Sequence, residues 1–363
     1  MNRIAVMRVW RADLALGIGL EHASASESAL EEVFLGIETA DGITALAEVR
    51  GNGAYATGAD TATILRQTQE IVAPALLNCA LDEASQRLGS LPVAPLVSAL
   101  ADSALHDARG RATGQPIWRL LEGRGAASIP VHAQIGFCTA KEAVIRARAA
   151  ARAGFRRLKL RVGRPSPEAD IAVIYAIREA VGERMAIAID CNGGWDVETA
   201  GRVLRAIEPC AVAWAEQPTP AGDDDALRHV RAATVIPIIG DEAIRSGRDI
   251  DRLARAGAID GVHLKLEKAG TVAALIGLVE RARAAGLTVF LGQMDQGRLG
   301  SSMTTHLAAG IEADAYELWG FQNVTADVAT GLDIRDGAMI VPQGAGNGME
   351  VDMTKLELVG EFG

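Results

Sequence analysis

The segment Met185–Glu242 holds three short apolar runs, each closed by a carboxylate: MAIAIDCN (185–192), VAWAEQP (212–218) and IPIIGDE (236–242). Asp190, Glu216 and Asp241 are therefore 26 and 25 residues apart. One strand, one helix and their loops use about that length, and a repeat of this kind builds a parallel sheet. In a (β/α)₈ barrel the strands all end on one rim, so carboxylates at those ends converge there. Converging carboxylates repel unless a cation lies between them. Hard oxygen donors favour Mg²⁺, with Mn²⁺ as the alternative, over zinc.

Outward from this segment the same grammar continues. From Ile129 the candidate strands are IPVHAQIG, RRLKLRVG, MAIAIDCN, VAWAEQP, IPIIGDE, GVHLKLEK, LTVFLGQM and DAYELWG. Ala/Arg/Glu-rich helical stretches such as KEAVIRARAAARAG and TVAALIGLVERARAAG separate them. Eight strands is the number that closes such a barrel. Upstream, IAVMRVWRADLAL, VFLGIETADG and ITALAEV read as strands, with a hairpin turn at residues 40–42. Two helical patterns follow, the second stopping near Gly114 and Pro116. The fold class is thus α/β: a (β/α)₇₋₈ TIM-like barrel over 126–330, with an α+β capping domain built from 1–125 and a returning tail, 331–363. The Gly/Ala/Ser-rich stretch 17–28 reads as a surface loop or lid.

Composition narrows the function classes. The 363 residues exceed one barrel of about 250. No uncharged apolar run reaches the ~18 residues of a membrane span, and the N-terminus resembles a first strand rather than a signal peptide. A net charge of −10 with acids and bases mixed argues against a nucleic-acid partner. Cys79, Cys138, Cys191 and Cys210 form no CxxC pair, which fits a reducing cytoplasm better than a disulfide framework.

Strand phase sorts the polar residues. Side chains alternate, so Lys159 and Arg161 share one face, Asp190 and Asn192 another, and His263 and Lys265 a third. If these sets face the barrel mouth, Lys159 and Arg161 flank the metal on one side and Lys265 on the other. A lysine beside a divalent cation has its ammonium form disfavoured, which suits a general base. By the same phase rule Glu242 points away from the mouth, and Lys268 falls on a solvated face. His306, in a helical segment, reads as packing. One acid at a strand end is ordinarily a helix cap. Three in one frame outweigh that reading.

Along nearly its whole length the chain resembles the muconate lactonizing enzyme subgroup of the enolase superfamily. The resemblance rests on ALHDARGRATGQPIWRLLEG, RLKLRVG, AIDCNGGW, WAEQP, GDEAIRS, HLKLEKAG, MDQGRLGSSMTTHLAAG, YELWG and VPQGAGNGMEVD, in that order. It implies that Asp190, Glu216 and Asp241 hold Mg²⁺, and that Lys265 and Lys159 match the sixth-strand lysine and the first lysine of K-x-K. It also implies that a proton is removed next to a small carboxylate substrate, the metal taking the enediolate charge, and that the protein is a homo-oligomer. One departure is Arg161, in place of the second lysine of K-x-K. A guanidinium is a poor general base but binds or stabilises anions. It reads either as a substrate anchor or as a partner of a ligand carboxylate. One-base cycloisomerisation or elimination needs only Lys265. Racemisation or epimerisation of amino-acid derivatives, or acid-sugar-type dehydration, is the alternative, and a metal-retaining binder of small acids the non-enzymatic one. Substrate contacts are expected from His22, Asp295, Gln296 and Glu317, with Gln322 and Asn323 departing from the muconate cycloisomerase pattern.

Overall fold

The computed structural model describes residues 2–363 apart from 23, 24, 122 and 124; residues 20–22 and 25 are described through their backbone alone. A capping sheet opens the chain with antiparallel strands β1 (Ile4–His22), β2 (Ala25–Thr39) and β3 (Thr44–Arg50). Gly42, at φ 87°, sits in the β2–β3 turn, where a left-handed backbone favours glycine. The sheet presents two faces. Val33, Leu35, Ile37, Ala45, Ala47 and Val49 pack against the capping helices, while Leu30 and Phe34 join the core shared with the barrel. The longest capping helix, Pro95–Thr113, starts with Pro at its first turn and ends at left-handed Gly114, the stop read from the sequence.

After β4 (Ser128–Pro130) come the barrel strands: β5 (Ala133–Ile135), β6 (Arg157–Arg161), β7 (Ala186–Asp190), β8 (Val212–Glu216), β9 (Ile238–Gly240), β10 (Gly261–Lys265), β11 (Thr288–Gly292) and β12 (Ala315–Glu317). These eight lie side by side in chain order, parallel throughout. The rings of His132 and Trp319, beside the first and last of them, approach to 6.4 Å. Outward-facing Leu158, Leu160, Ile187, Ile189, Val262 and Leu264 are buried beneath the helices.

Inside the barrel the register stacks two layers. Ala188, Trp214, Ile239, Phe290 and Ala315 form an apolar floor, with the Trp214 and Phe290 rings 4.8 Å apart. Two residues further along, the same inner faces carry Asp190, Glu216, Gly292 and Glu317. The period of a strand thus lifts the side chains from an oily plug to a charged ring.

The tail continues as β13 (Ala329–Thr330), β14 (Ile334–Arg335), β15 (Ala338–Ile340), β16 (Glu350–Val351) and β17 (Glu357–Phe362). Strand β17 pairs with β1, so the tail's end joins the capping sheet. The run IPVHAQIG, read as one strand, is split: Ser128–Pro130 pairs antiparallel with β15, and only Ala133–Ile135 enters the barrel. The described residues of the stretch 17–28 belong to β1 and β2 rather than to a loop. The β1–β2 ladder continues through them, their glycines absorbed by a register shift between Ala15 and Leu20. Within that shift the hairpin is tied to the barrel rim by a Leu16–Val324 bridge and by the Asn323 amide. That amide accepts from Ile18 N at 3.0 Å and donates to Ile18 O at 2.6 Å. Among the described residues no helix is long and apolar enough to cross a membrane.

Glu32 and Glu48 are buried where the capping sheet meets helix Arg298–Gly310. Glu48 accepts from Gly300 N at 2.7 Å, and Asp327 nearby pairs with Arg298 at 3.1 Å. Burial, then repulsion from Asp327, pushes Glu48 up to about 8, and burial with repulsion from Glu48 raises Glu32 well above the carboxylate range, against the attraction of Arg50. A carboxyl whose folded pKa is raised holds its proton in the folded state while the unfolded chain has lost it. Stability is therefore fully present below the unfolded value and falls as pH rises toward 8. Urea unfolding between pH 5 and 8 should show a decline of up to about 1.4 kcal/mol per pH unit from each such group. Glu48→Gln should flatten it, and an unchanged slope in that variant would contradict this account.

Candidate active site

The charged ring holds five buried carboxylates, Asp190, Glu216, Asp241, Glu242 and Glu317, against four cations, Lys159, Arg161, Lys265 and Lys268. Lys159 Nζ lies 2.7 Å from Glu216 Oε2 and 3.1 Å from Asp190 Oδ2, and also bonds Glu317. Arg161 bonds Asp190 and donates to Asn192 Oδ1 at 2.8 Å. Across the barrel, Lys265 Nζ is 2.6 Å from Asp241 Oδ2. Lys268 bonds the other Asp241 oxygen and donates to the Asp241 carbonyl at 2.7 Å.

Backbone geometry aims these groups. Asn192 and Gln217 both take left-handed φ, 43° and 38°, just past the ends of β7 and β8. Asp190 Oδ1 accepts from Asn192 N at 3.0 Å, a turn that Asx side chains favour. Gln217 Oε1 accepts from Asp241 N and Ala243 N at 3.0 and 3.1 Å, which fixes the next carboxylate's turn.

The electrostatics follow from burial against pairing. Burial would lower Lys159, but Asp190, Glu216 and Glu317 raise it well above the lysine range. Lys265 is raised in the same way, against burial, chiefly by Asp241. Arg161, raised against burial by Asp190, is a permanent cation. Burial opposes ionisation of Asp241 and Glu317, yet Lys265 and Lys159 hold their carboxyls below the ordinary range. Glu216 goes the other way: burial, then Asp190 and Glu317, raises it well above that range. With five acids facing four bases, Glu216 keeps its proton, and Glu242, to which none of the four cations is bonded, is pushed up to about 7 by burial and by Asp241. Burial pushes His263 down to about 3, so the ring is neutral. Its Nδ1 and Glu216 Oε1 share a hydrogen bond of 2.9 Å.

A divalent cation among these oxygen donors would take the place of the Glu216 proton. Glu216, Asp241 and His263 each bring one ligand atom within 4.8 Å of the others. Asp190 lies next to them through Lys159 and Arg161. The acidic triad read from the sequence is thus gathered at one place, and His263 is an added donor that strand phase had grouped with Lys265.

A cavity of about 30 Å³ opens above the ring, lined by Lys159, Arg161, Lys265, Glu317 and Asp295 among others. Gln296 is absent from that lining. It is buried with its amide against Gly300, at the start of helix Arg298–Gly310. The backbone of His22 lies near the tip of the capping hairpin, and its side chain lies outside the described residues. Two readings of orientation are corrected. Glu242 lines the cavity and accepts from Asn192 Nδ2 at 3.1 Å, because β9 stops at Gly240 and alternation stops with it. Lys268 is buried because Leu266–Ala269 is helical, and three residues along a helix return to the same side. His132, Gln134, Tyr55 and Trp319 also line the cavity. Alternation along VHAQ pairs His132 with Gln134, the one signal that could have found them. His306 packs, as expected, against Asn347 O at 3.1 Å.

Comparison with known proteins bears on the same residues. A family model described as "Enolase C-terminal domain-like" matches residues 142–355. One described as "Mandelate racemase / muconate lactonizing enzyme, N-terminal domain" matches 12–122. The chain is 30% identical over 236 residues to an N-succinyl-L-Arg/Lys racemase of Bacillus cereus, covering 64% of each chain. It is 31% identical over 272 residues to a chloromuconate cycloisomerase of Pseudomonas putida, covering 71% of each. A dipeptide epimerase of Cytophaga hutchinsonii, solved with Mg and the dipeptide D-Ala-L-Val, superposes with a TM-score of 0.90 at 25% identity over 99% of both chains.

A Cβ at Gly292 would lie 2.0 Å from His263 Nε2. Gly292→Ala should therefore force the imidazole off Glu216 and lower stability by about 1–3 kcal/mol. Gly277→Ala, on helix Val272–Ala284 with open space around it, should be neutral or stabilising by up to about 1 kcal/mol. Urea unfolding of the two variants checks the contrast, and equal stabilities would mean that His263 is not locked.

Proposed function

Because the chain belongs to the mandelate racemase/muconate lactonizing enzyme family of the enolase superfamily, we propose that it is a Mg²⁺-dependent isomerase or lyase, muconate-cycloisomerase-like, that removes the proton α to a carboxylate with one base, Lys265. The observation that carries this reading is the asymmetry of the cavity. Lys265 on β10 and Arg161 on β6 stand four strands apart in an eight-stranded sheet, hence on opposite walls, and both line the cavity. Only one of the two can give up its proton.

Asp190, Glu216 and Asp241 would hold the cation, which supplies positive charge where negative charge develops on the substrate carboxylate. The Lys265 amine takes the α-proton from its wall and can return it at another carbon. Arg161, whose Nε is buried without a partner, offers that N–H to substrate charge from the other wall. The apolar floor of Trp214 and Phe290 excludes water from below. Asp295 contributes to the cavity wall, and Glu317 acts on the substrate only through Lys159, to which it is bound.

A second reading, epimerisation of an amino-acid derivative, is favoured by Lys159, which lines the same cavity on the Arg161 side. The two readings separate in deuterium oxide with a panel of chiral acids. One-base catalysis should place deuterium on a single face without inversion. Lys265→Ala should then abolish exchange, by about 10³-fold or more if it removes the general base, while Arg161→Lys should mainly raise KM. Interconversion of enantiomers, stopped for one of them by Lys159→Ala, would replace the first reading with the second. Asp241→Asn should fold normally yet bind Mg²⁺ far more weakly by calorimetry, and undiminished binding would remove Asp241 from the ligand set.

A further inference from the structure

Outside the catalytic cavity lies a second one of about 70 Å³, and Gln134, Arg161 and Trp319 line both, so the two adjoin. The outer cavity differs in charge. Among the described residues no acidic side chain lines it, whereas Arg146 does, together with Phe137 and Asn323.

Arg146 is a half-buried cation without a hydrogen bond or ion pair among the described residues. Its helix explains why. In Ala140–Arg152 the residue four before Arg146 is Glu142, the ordinary partner at that spacing. Glu142 Oε2 is committed instead to the capping box, accepting from Thr139 N at 3.0 Å and Thr139 Oγ1 at 2.9 Å. The other cation, Arg161, is already neutralised by Asp190. Asn323 holds the capping hairpin at this cavity through both polar groups of Ile18.

Resting on the proposed chemistry, we infer that the substrate carries a second carboxylate and that Arg146 binds it. One carboxylate sits at the acidic, lysine-flanked inner cavity. The chain between the two carboxylates passes Gln134 and Trp319, an amide and a flat apolar ring. The distal carboxylate meets Arg146, whose planar fork suits a carboxylate better than a point charge would. A substrate ending in a neutral or cationic group leaves that guanidinium without a partner.

The test uses the full-length protein with Mg²⁺ and matched N-acetyl and N-succinyl derivatives of the same amino acids, which differ by the carboxymethyl group that carries the distal carboxylate. Calorimetry should show the wild type preferring the N-succinyl member. Arg146→Gln should reduce that preference by about tenfold to a hundredfold, the usual weight of a hydrogen bond to a charged group. Arg146→Lys should restore part of it. A preference that survives Arg146→Gln, or a wild type that favours the N-acetyl member or binds neither, overturns the inference. Circular dichroism confirms that each variant is folded. α-Proton exchange is read on the same samples. Calorimetry reports the distal site even for an acid that is not turned over, so absent exchange counts against the proposed chemistry and absent charge preference against Arg146.

Discussion

Burying five carboxylates at one end of a barrel is the constraint on which the rest of this structure depends. Each would resist ionisation alone, since a charge removed from water is expensive unless paired. Lys159 and Arg161 answer Asp190, Glu216 and Glu317, Lys265 and Lys268 both answer Asp241, and none of the four is bonded to Glu242, so five acids share four cations and Glu216 keeps its proton. That imbalance ties the site's structure to its chemistry. A fully neutralised cluster would be a structural knot; one short of a positive charge is a place where a cation binds with gain. It also sets a competition, because a cation must share with the lysines the oxygens that now raise their pKa values. In the proposed chemistry, relief of that pairing would be the physical route by which Lys265 becomes a usable base.

The capping sheet is fitted to this charged end by two unlike devices. One is the buried pair Glu32 and Glu48 against helix Arg298–Gly310, where the backbone N–H of Gly300 meets a carboxyl that burial keeps protonated to about pH 8. The other is the Asn323 clasp on Ile18, two hydrogen bonds to an exposed, irregular part of β1. The first lies in the core and the second at the rim.

How much of this could be read from residues alone depends on whether the backbone kept its period. Asp190, Glu216, Lys159, Arg161 and Lys265 lie within regular strands, and alternation placed them together on the inner face. Asp241 and Glu242 lie past the end of a three-residue strand, and there alternation misjudged Glu242. Lys268 was misjudged for the opposite reason, since a helix begins at once and changes the period from two to 3.6. Gln296 packs at the start of the following helix rather than at the cavity. The Gly/Ala/Ser stretch near residue 20 looked like a loop because small residues pack poorly, but a ladder of backbone hydrogen bonds asks little of side chains.

The arginine in the K-x-K position shows how one substitution redistributes roles within a fixed scaffold. The register places Arg161 opposite Asp190 as it would place a lysine there. A lysine on that wall could lose its proton and act from the face opposite Lys265. The guanidinium keeps its charge, and its planar fork reaches Asp190 and Asn192 together while leaving Nε directed at neither. Basicity is then confined to Lys159 and Lys265. Of these, Lys159 is bound to three carboxylates on its side of the barrel, whereas Lys265 is bound to Asp241 alone. Freeing Lys265 requires the loss of one partner and freeing Lys159 the loss of three. The asymmetry of the cavity therefore lies in how many carboxylates each lysine must release.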